Sequence, residues 1–242
     1  MNKLLRFEFH NMLRQKIIYI IIAVMLILLL LINNTPAGRL EYYNSIGYCL
    51  EDMIVGILTS CYFTSFMAAI VAFIVCRDYE QNVMKNIYAK GYTHDQVYLS
   101  KFIYSMITTA VICLVTLGIG ISQAVIVFGP GKTDITLIMI AQFVAMLAYS
   151  SFGYMVCQIL KKTGFSIILL ILIPPLGGLL LDQIDMFIPF DFSFGDLWIT
   201  QTMSYIHGGT IEGKEIFLSF LTSIIYIVGS YFIGLKVSKK RS

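Results

Sequence analysis

Gly131-Lys132-Thr133 has the residue types of a nucleotide-binding loop, where glycine amides and a lysine surround phosphates. That chemistry needs another glycine five positions before Gly131, and Ile126 stands there. Gly120-Ile121-Ser122-Gln123 carries the serine of an intramembrane protease motif, yet the nearest histidine downstream that could serve as its base, His207, belongs to a loop and not to an apolar segment. His10, His94 and His207 fall in three separate segments, with no spacing that closes on a metal ion. The five cysteines, Cys49, Cys61, Cys76, Cys113 and Cys157, are odd in number, and the last four sit inside apolar runs where a thiol behaves as a small hydrophobe. Bond-making chemistry is therefore not expected of this chain, which reads as a non-enzyme.

The elements that would position any site explain why. Of 242 residues, 58% are hydrophobic and only 13% charged, which excludes a soluble globular domain and a disordered chain. Six runs are long enough to cross a bilayer as helices: Lys16–Ile32, Met53–Cys76, Phe102–Phe128, Ile135–Leu160, Phe165–Leu181 and Ile216–Leu235. Backbone polar groups in hydrocarbon must be satisfied within the segment, and no run alternates as a barrel strand would. The expected fold is an all-α polytopic membrane domain over residues 1–242, with six transmembrane helices. The first run is expected to stay as an anchor and not to be a cleaved secretory signal, since it is long for one and five more runs follow.

Six spans place both termini on one side, and that side then holds Lys3, Arg6, Arg14, Lys16, Arg77, Lys85, Lys90, Lys101, Lys161, Lys162, Lys236, Lys239, Lys240 and Arg241, which is 14 of the 17 basic residues. The opposite side holds Arg39, Lys132 and Lys214. The positive-inside rule makes the crowded side cytoplasmic.

Three segments outside the spans have their own character. At about 100° per residue, Lys3, Arg6, His10 and Arg14 form one stripe across residues 1–15, and Met1, Leu5, Phe9 and Met12 lie opposite. This is the pattern of a helix lying in the membrane interface. The cytoplasmic loop 77–100 is longer than a turn requires. A short helix is expected there from Asn82 to Lys90, stopped by Gly91, with Thr93 as the N-cap of the helix that becomes the third span. The external loop 182–215 interleaves Phe187, Phe190, Phe192, Phe194 and Trp198 with acids, a composition suited to short helices dipping into the outer leaflet. In the fifth span, Pro174-Pro175 and Gly177-Gly178 either kink or break the helix or are carried as an irregularity that its neighbours satisfy.

The spans contain hydroxyls and amides but no Asp, Glu, Lys, Arg or His away from their ends. Most of these groups read as helix–helix contacts, with Thr64, Gln142 and Gln158 as candidates to face a pathway. Ion-coupled carriers place ionisable side chains in the membrane interior, so any uphill movement here draws its energy from another chain.

In Lys3 through Phe9 with Leu13-Arg14-Gln15-Lys16, in Asp78-Tyr79-Glu80 through Lys90-Gly91-Tyr92-Thr93 to Tyr98-Leu99-Ser100-Lys101, and in the long loop before the last span, the chain resembles the small six-span permease subunits of type-2 ABC transporters. Such permeases usually have Gly-Thr where Asn82-Val83 stand and an arginine near His94. The resemblance implies that residues 1–15 form a connecting helix and that Glu80 to Lys90 form the coupling helix that inserts into a separate ATPase. Glu80, Lys85, Tyr88, Lys90 and Gly91 are then the coupling residues, with Gly91 as the stop. It also implies two copies of an ATP-binding subunit that hold ATP and Mg²⁺, and a second permease, either a copy of this one or a paralogue. No cofactor is expected in this chain itself, and no nucleic acid among its partners. The implied setting is the bacterial plasma membrane.

Twelve methionines, seventeen phenylalanines and fifteen tyrosines suit an amphipathic or lipophilic cargo. Within the resemblance, the implied cargo is a cytolytic or antimicrobial peptide of the phenol-soluble modulin or lantibiotic kind, exported or conferring immunity. A lipid or polysaccharide flippase subunit and a non-transporting sensor or scaffold are the alternatives.

Overall fold

Long apolar segments that must satisfy their own backbone groups fold as helices, and the computed structural model of the chain has no strand among its described residues. Those residues are 4, 7, 10, 16–33, 54, 56–58, 60–128, 136–187, 198 and 213–240. The bounded helices are α1 (Lys16–Asn33), α2 (Cys61–Glu80), α3 (Val83–Ala89), α4 (His94–Phe128), α5 (Thr136–Leu160), α6 (Thr163–Phe187) and α7 (Gly213–Lys240). Among the described residues, three stretches are long and apolar enough to cross a membrane: His94–Ile126 in α4, α5 itself, and Ile216–Lys240 in α7. Shorter apolar helical stretches occupy Lys16–Leu31 and Thr163–Ile173.

Helix α5 is the centre of the bundle, packing against α2, α4, α6 and α7. Its buried face is rich in small residues, Ala141, Ala145, Ala148, Ser150, Ser151 and Gly153 among them, which let neighbouring backbones come close. Polar stitches fix the register. Thr109 and Ser150 share a 2.7 Å hydrogen bond between α4 and α5, and the Ser151 hydroxyl donates to the Ile227 carbonyl of α7. Cys76 Sγ lies 3.3 Å from Ser166 Oγ, joining α2 to α6. Apolar side chains on the outward faces remain exposed, such as Val111 and Leu114 on α4, Leu172 and Leu180 on α6, and Ile225 and Phe232 on α7. That distribution suits a surface solvated by lipid.

The proline pair does not break its helix. Helix α6 runs unbroken through Pro174 and Pro175 from Thr163 to Phe187. A proline cannot donate to the carbonyl four residues earlier, which for Pro174 belongs to Leu170. The buried Tyr149 hydroxyl of α5 donates to that carbonyl at 3.0 Å, so a neighbour satisfies what the proline leaves open. Trp198 is the described residue of the 188–212 segment. It packs on Gly177, where an added Cβ would lie 2.1 Å from the indole, and meets Phe152 and Tyr226 edge-on. The expected short helices of that loop lie outside the described residues.

Candidate functional site

The segment between α2 and α4 turns twice before re-entering the bundle. Helix α2 ends at Glu80, and the chain then passes through Asn82 in a left-handed conformation, φ 55°. Asparagine tolerates that region better than most residues. Helix α3 follows for two turns and stops at Gly91, φ 83°, whose amide donates to the Tyr88 carbonyl at 2.9 Å. A Cβ-free residue fits there. Thr93 and Gln96 then form a reciprocal capping box, with the Thr93 amide donating to Gln96 Oε1 at 3.2 Å and the Gln96 amide to Thr93 Oγ1 at 3.4 Å. The outcome is an elbow: α2, a short exposed helix, and α4, with each junction terminated by its own local chemistry.

This elbow has a core separate from that of the bundle. Met84 and Ile87 on the inner face of α3 pack with Val97 of α4 and with Leu4 from the N-terminal segment, all four buried. Phe7 of the same segment lies under Lys90, whose Nζ is 5.9 Å from the ring centroid. The N-terminal segment therefore seats on α3 through Leu4 and Phe7. Of the expected interfacial stripe, His10 is a helical, exposed residue, and Lys3, Arg6 and Arg14 lie outside the described residues.

Two connections root the elbow in the bundle. Asp78 in the last turn of α2 and Lys101 in α4 form an ion pair, with both side chains almost completely buried. Beside it, the Tyr79 hydroxyl donates to Gln158 Oε1, Gln158 Nε2 donates to the Tyr154 hydroxyl at 2.8 Å, and Tyr154 in turn donates to the Tyr98 carbonyl at 3.0 Å. Burial pushes the Tyr79 phenol up, which keeps it protonated as a donor. The last helix closes over the same region. Ser238 hydrogen-bonds His94 Nε2 at 2.8 Å, Lys239 pairs with Asp95 at 2.7 Å, and the Tyr98 hydroxyl donates to the Tyr231 carbonyl at 3.3 Å.

The sequence-derived coupling residues all lie on this elbow. Lys85, Lys90 and Gly91 are exposed, and Tyr88 is half-buried and stacked on His94 with centroids 6.3 Å apart. Burial raises the Tyr88 phenol as well. Glu80, although exposed, reaches the next turn of the bundle, where its Oε1 accepts from the Thr163 amide at 2.7 Å and caps α6. The three pathway candidates are not brought together. Thr64 is half-buried in α2, where its hydroxyl lies 3.5 Å from the Ser60 carbonyl. Gln142 is buried in α5, and Gln158, sixteen residues along the same helix or about 24 Å away, belongs to the tyrosine network just described.

Sequence reasoning passed over the Asp78–Lys101 pair because each residue flanks a span and reads as an ordinary interface charge. A signal was available. Val97, Lys101, Ser105, Thr108 and Ile112 recur at helical spacing and are all buried, so Lys101 sits within an otherwise uncharged core stripe. A cleft of about 420 Å³ opens beside α3, bordered by Asn82, Lys85, Tyr88, His94, Lys161 and Ser238.

The family model for ABC-2 family transporter proteins matches residues 4–174, which is 171 of the 242 residues. The elbow lies wholly inside the match, and residues 188–212 and α7 lie beyond it. No curated protein matches the chain.

Proposed function

From the chain's membership of the ABC-2 transporter family, which makes it a membrane permease subunit of an ABC transporter, we propose that it is one half of the translocation path of a bacterial exporter for amphipathic peptides. Six spans carry it across the plasma membrane with both termini in the cytoplasm. A separate ATPase supplies energy, with two copies binding ATP and Mg²⁺, and a second permease copy or paralogue completes the path. Helix α3 is the coupling helix, with Lys85, Tyr88 and Lys90 as its contact residues and Gly91 as its stop; Glu80, at the end of α2, ties the helix's near end to α6. The cargo is a cytolytic or antimicrobial peptide, moved outward or cleared for immunity.

The observation that carries this reading is the elbow. A two-turn helix with exposed lysines has its own small core and is rooted in the bundle by a buried ion pair. It is built to receive a push from outside the membrane and pass it on, because helices packed this closely move as bodies. The spans supply the complement, a wall without interior charge that suits lipophilic cargo.

Purification of the chain from its own membranes in mild detergent is expected to recover a stoichiometric ATPase. Charge reversal of Lys85 and Lys90 to glutamate is expected to abolish the chain's stimulation of ATP hydrolysis while leaving membrane insertion intact. Unchanged hydrolysis in the double variant overturns α3 as the coupling helix, and recovery of the chain without an ATPase overturns the transport reading.

A further inference from the structure

The cleft beside α3 contains features that coupling alone does not require. Four helices of the bundle end around it: Tyr79 lies in the last turn of α2, His94 begins α4, Lys161 lies in the turn from α5 to α6, and Ser238 is in the last turns of α7. This places it at the level where apolar helix gives way to polar surface, which in a membrane is the headgroup layer. Its border carries the cations Lys85 and Lys161 and no carboxylate. The nearest acid on α4, Asp95, is engaged by Lys239 at 2.7 Å, so it does not neutralise them. Lys161 Nζ rests 5.2 Å over the Tyr79 ring, and among the described residues neither it nor Lys85 has an ion-pair partner.

The backbone supplies a separate argument. Among the described residues, the non-glycine residues with positive φ are Asn82 at 55° and Lys161 at 56°, and both border this one cleft. Lys161 closes α5, its amide donating to the Cys157 carbonyl at 2.9 Å, in a position where glycine is the unstrained choice. Gly91 fills the equivalent position after α3. A long cationic side chain is kept at residue 161 against its backbone preference, and strain of this kind concentrates where a group is held for a ligand.

We infer that this cleft binds the phosphate of an anionic phospholipid headgroup, with Lys161 and Lys85 as its cations and the Asn82 side-chain carboxamide and Tyr88 hydroxyl as neutral donors. A lipid held there bridges α3 and the end of α7, so the charge of the surrounding leaflet tunes how firmly the elbow is seated. Placement in the cytoplasmic leaflet rests on the proposed topology. If the topology is reversed, the cleft faces the other leaflet and lipid retention is unchanged, so the two ideas fail separately.

The test uses the full chain in nanodiscs of mixed phosphatidylcholine and phosphatidylglycerol, with native mass spectrometry of the lipids it retains on release. The wild type is expected to retain phosphatidylglycerol in preference to phosphatidylcholine. Lys161→Gly, which removes the amine and relaxes the left-handed turn, is expected to retain about fivefold less, the effect of one lysine at an anionic surface. Lys240→Gln, on α7 but outside the cleft, is expected to match the wild type. Equal retention by wild type and Lys161→Gly overturns the inference. Stabilisation by inorganic phosphate without enrichment of phosphatidylglycerol also overturns it, in favour of a soluble anion. A photo-crosslinker at position 161 that attaches to the co-purified ATPase and not to lipid overturns it in favour of an acidic segment of that partner.

Discussion

Asp78 and Lys101 bury opposite charges where α2 and α4 enter the elbow, and the cost of removing one depends on what is left behind. A buried charge without its partner is destabilising by about 3–5 kcal/mol, whereas an apolar pair of similar volume is often neutral. Asp78→Leu and Lys101→Met are each expected to lower the thermal stability of the detergent-purified protein sharply, and the double variant that combines them to recover most of it. Full additivity of the two single effects would mean that the charges act independently. The pair was illegible as a pair in the sequence, since residues 78 and 101 are related only through the fold of the loop between them. Gly91 and Thr93 were legible, because a left-handed stop and a capping box depend on a few neighbouring residues.

Among the elements, α7 tests how tightly the bundle is stitched. Gly234 faces α4, and an added Cβ would lie 2.2 Å from the Tyr98 hydroxyl that donates to Tyr231. Gly229, one and a half turns earlier, has open space around the same position. Gly234→Ala is therefore expected to destabilise by about 1–3 kcal/mol through forced displacement of Tyr98, and Gly229→Ala to be neutral or stabilising by up to about 1 kcal/mol. Thermal unfolding of the two single variants separates them, and equal effects would place the α4–α7 contact elsewhere. Helix α3 was visible in advance from loop length and Gly91, but its seat was not. The expected apolar face at the N-terminus, Met1, Leu5, Phe9 and Met12, lies outside the described residues, and the seat that the structure describes is Leu4 on Met84 and Ile87. Periodicity alone did not point to Leu4. Gln158 shows the same limit: a glutamine in an apolar helix advertises a polar neighbour without saying whether that neighbour is cargo or a tyrosine.

For the whole molecule, the asymmetry of basic residues makes the strongest statement. With 14 of 17 lysines and arginines on one side of the proposed six-span topology, both termini are expected to be cytoplasmic. In a variant freed of its native cysteines, a cysteine at Lys132 should react with a membrane-impermeant thiol reagent in intact cells, and one at Lys162 only after the membrane is opened. Labelling at Lys162 in intact cells would reverse the orientation. The all-helical class was open to reading because composition and segment length determine it, whereas how the helices pack depended on small and hydroxyl residues whose partners lie far away in the chain. The elbow's small core shares no buried residue with the main one, and among the described residues Tyr79 is the side chain that packs on both. If α3 is the coupling helix, a stroke applied to it would reach the bundle through Tyr79 and through the Asp78–Lys101 pair, at the root of α2 and α4.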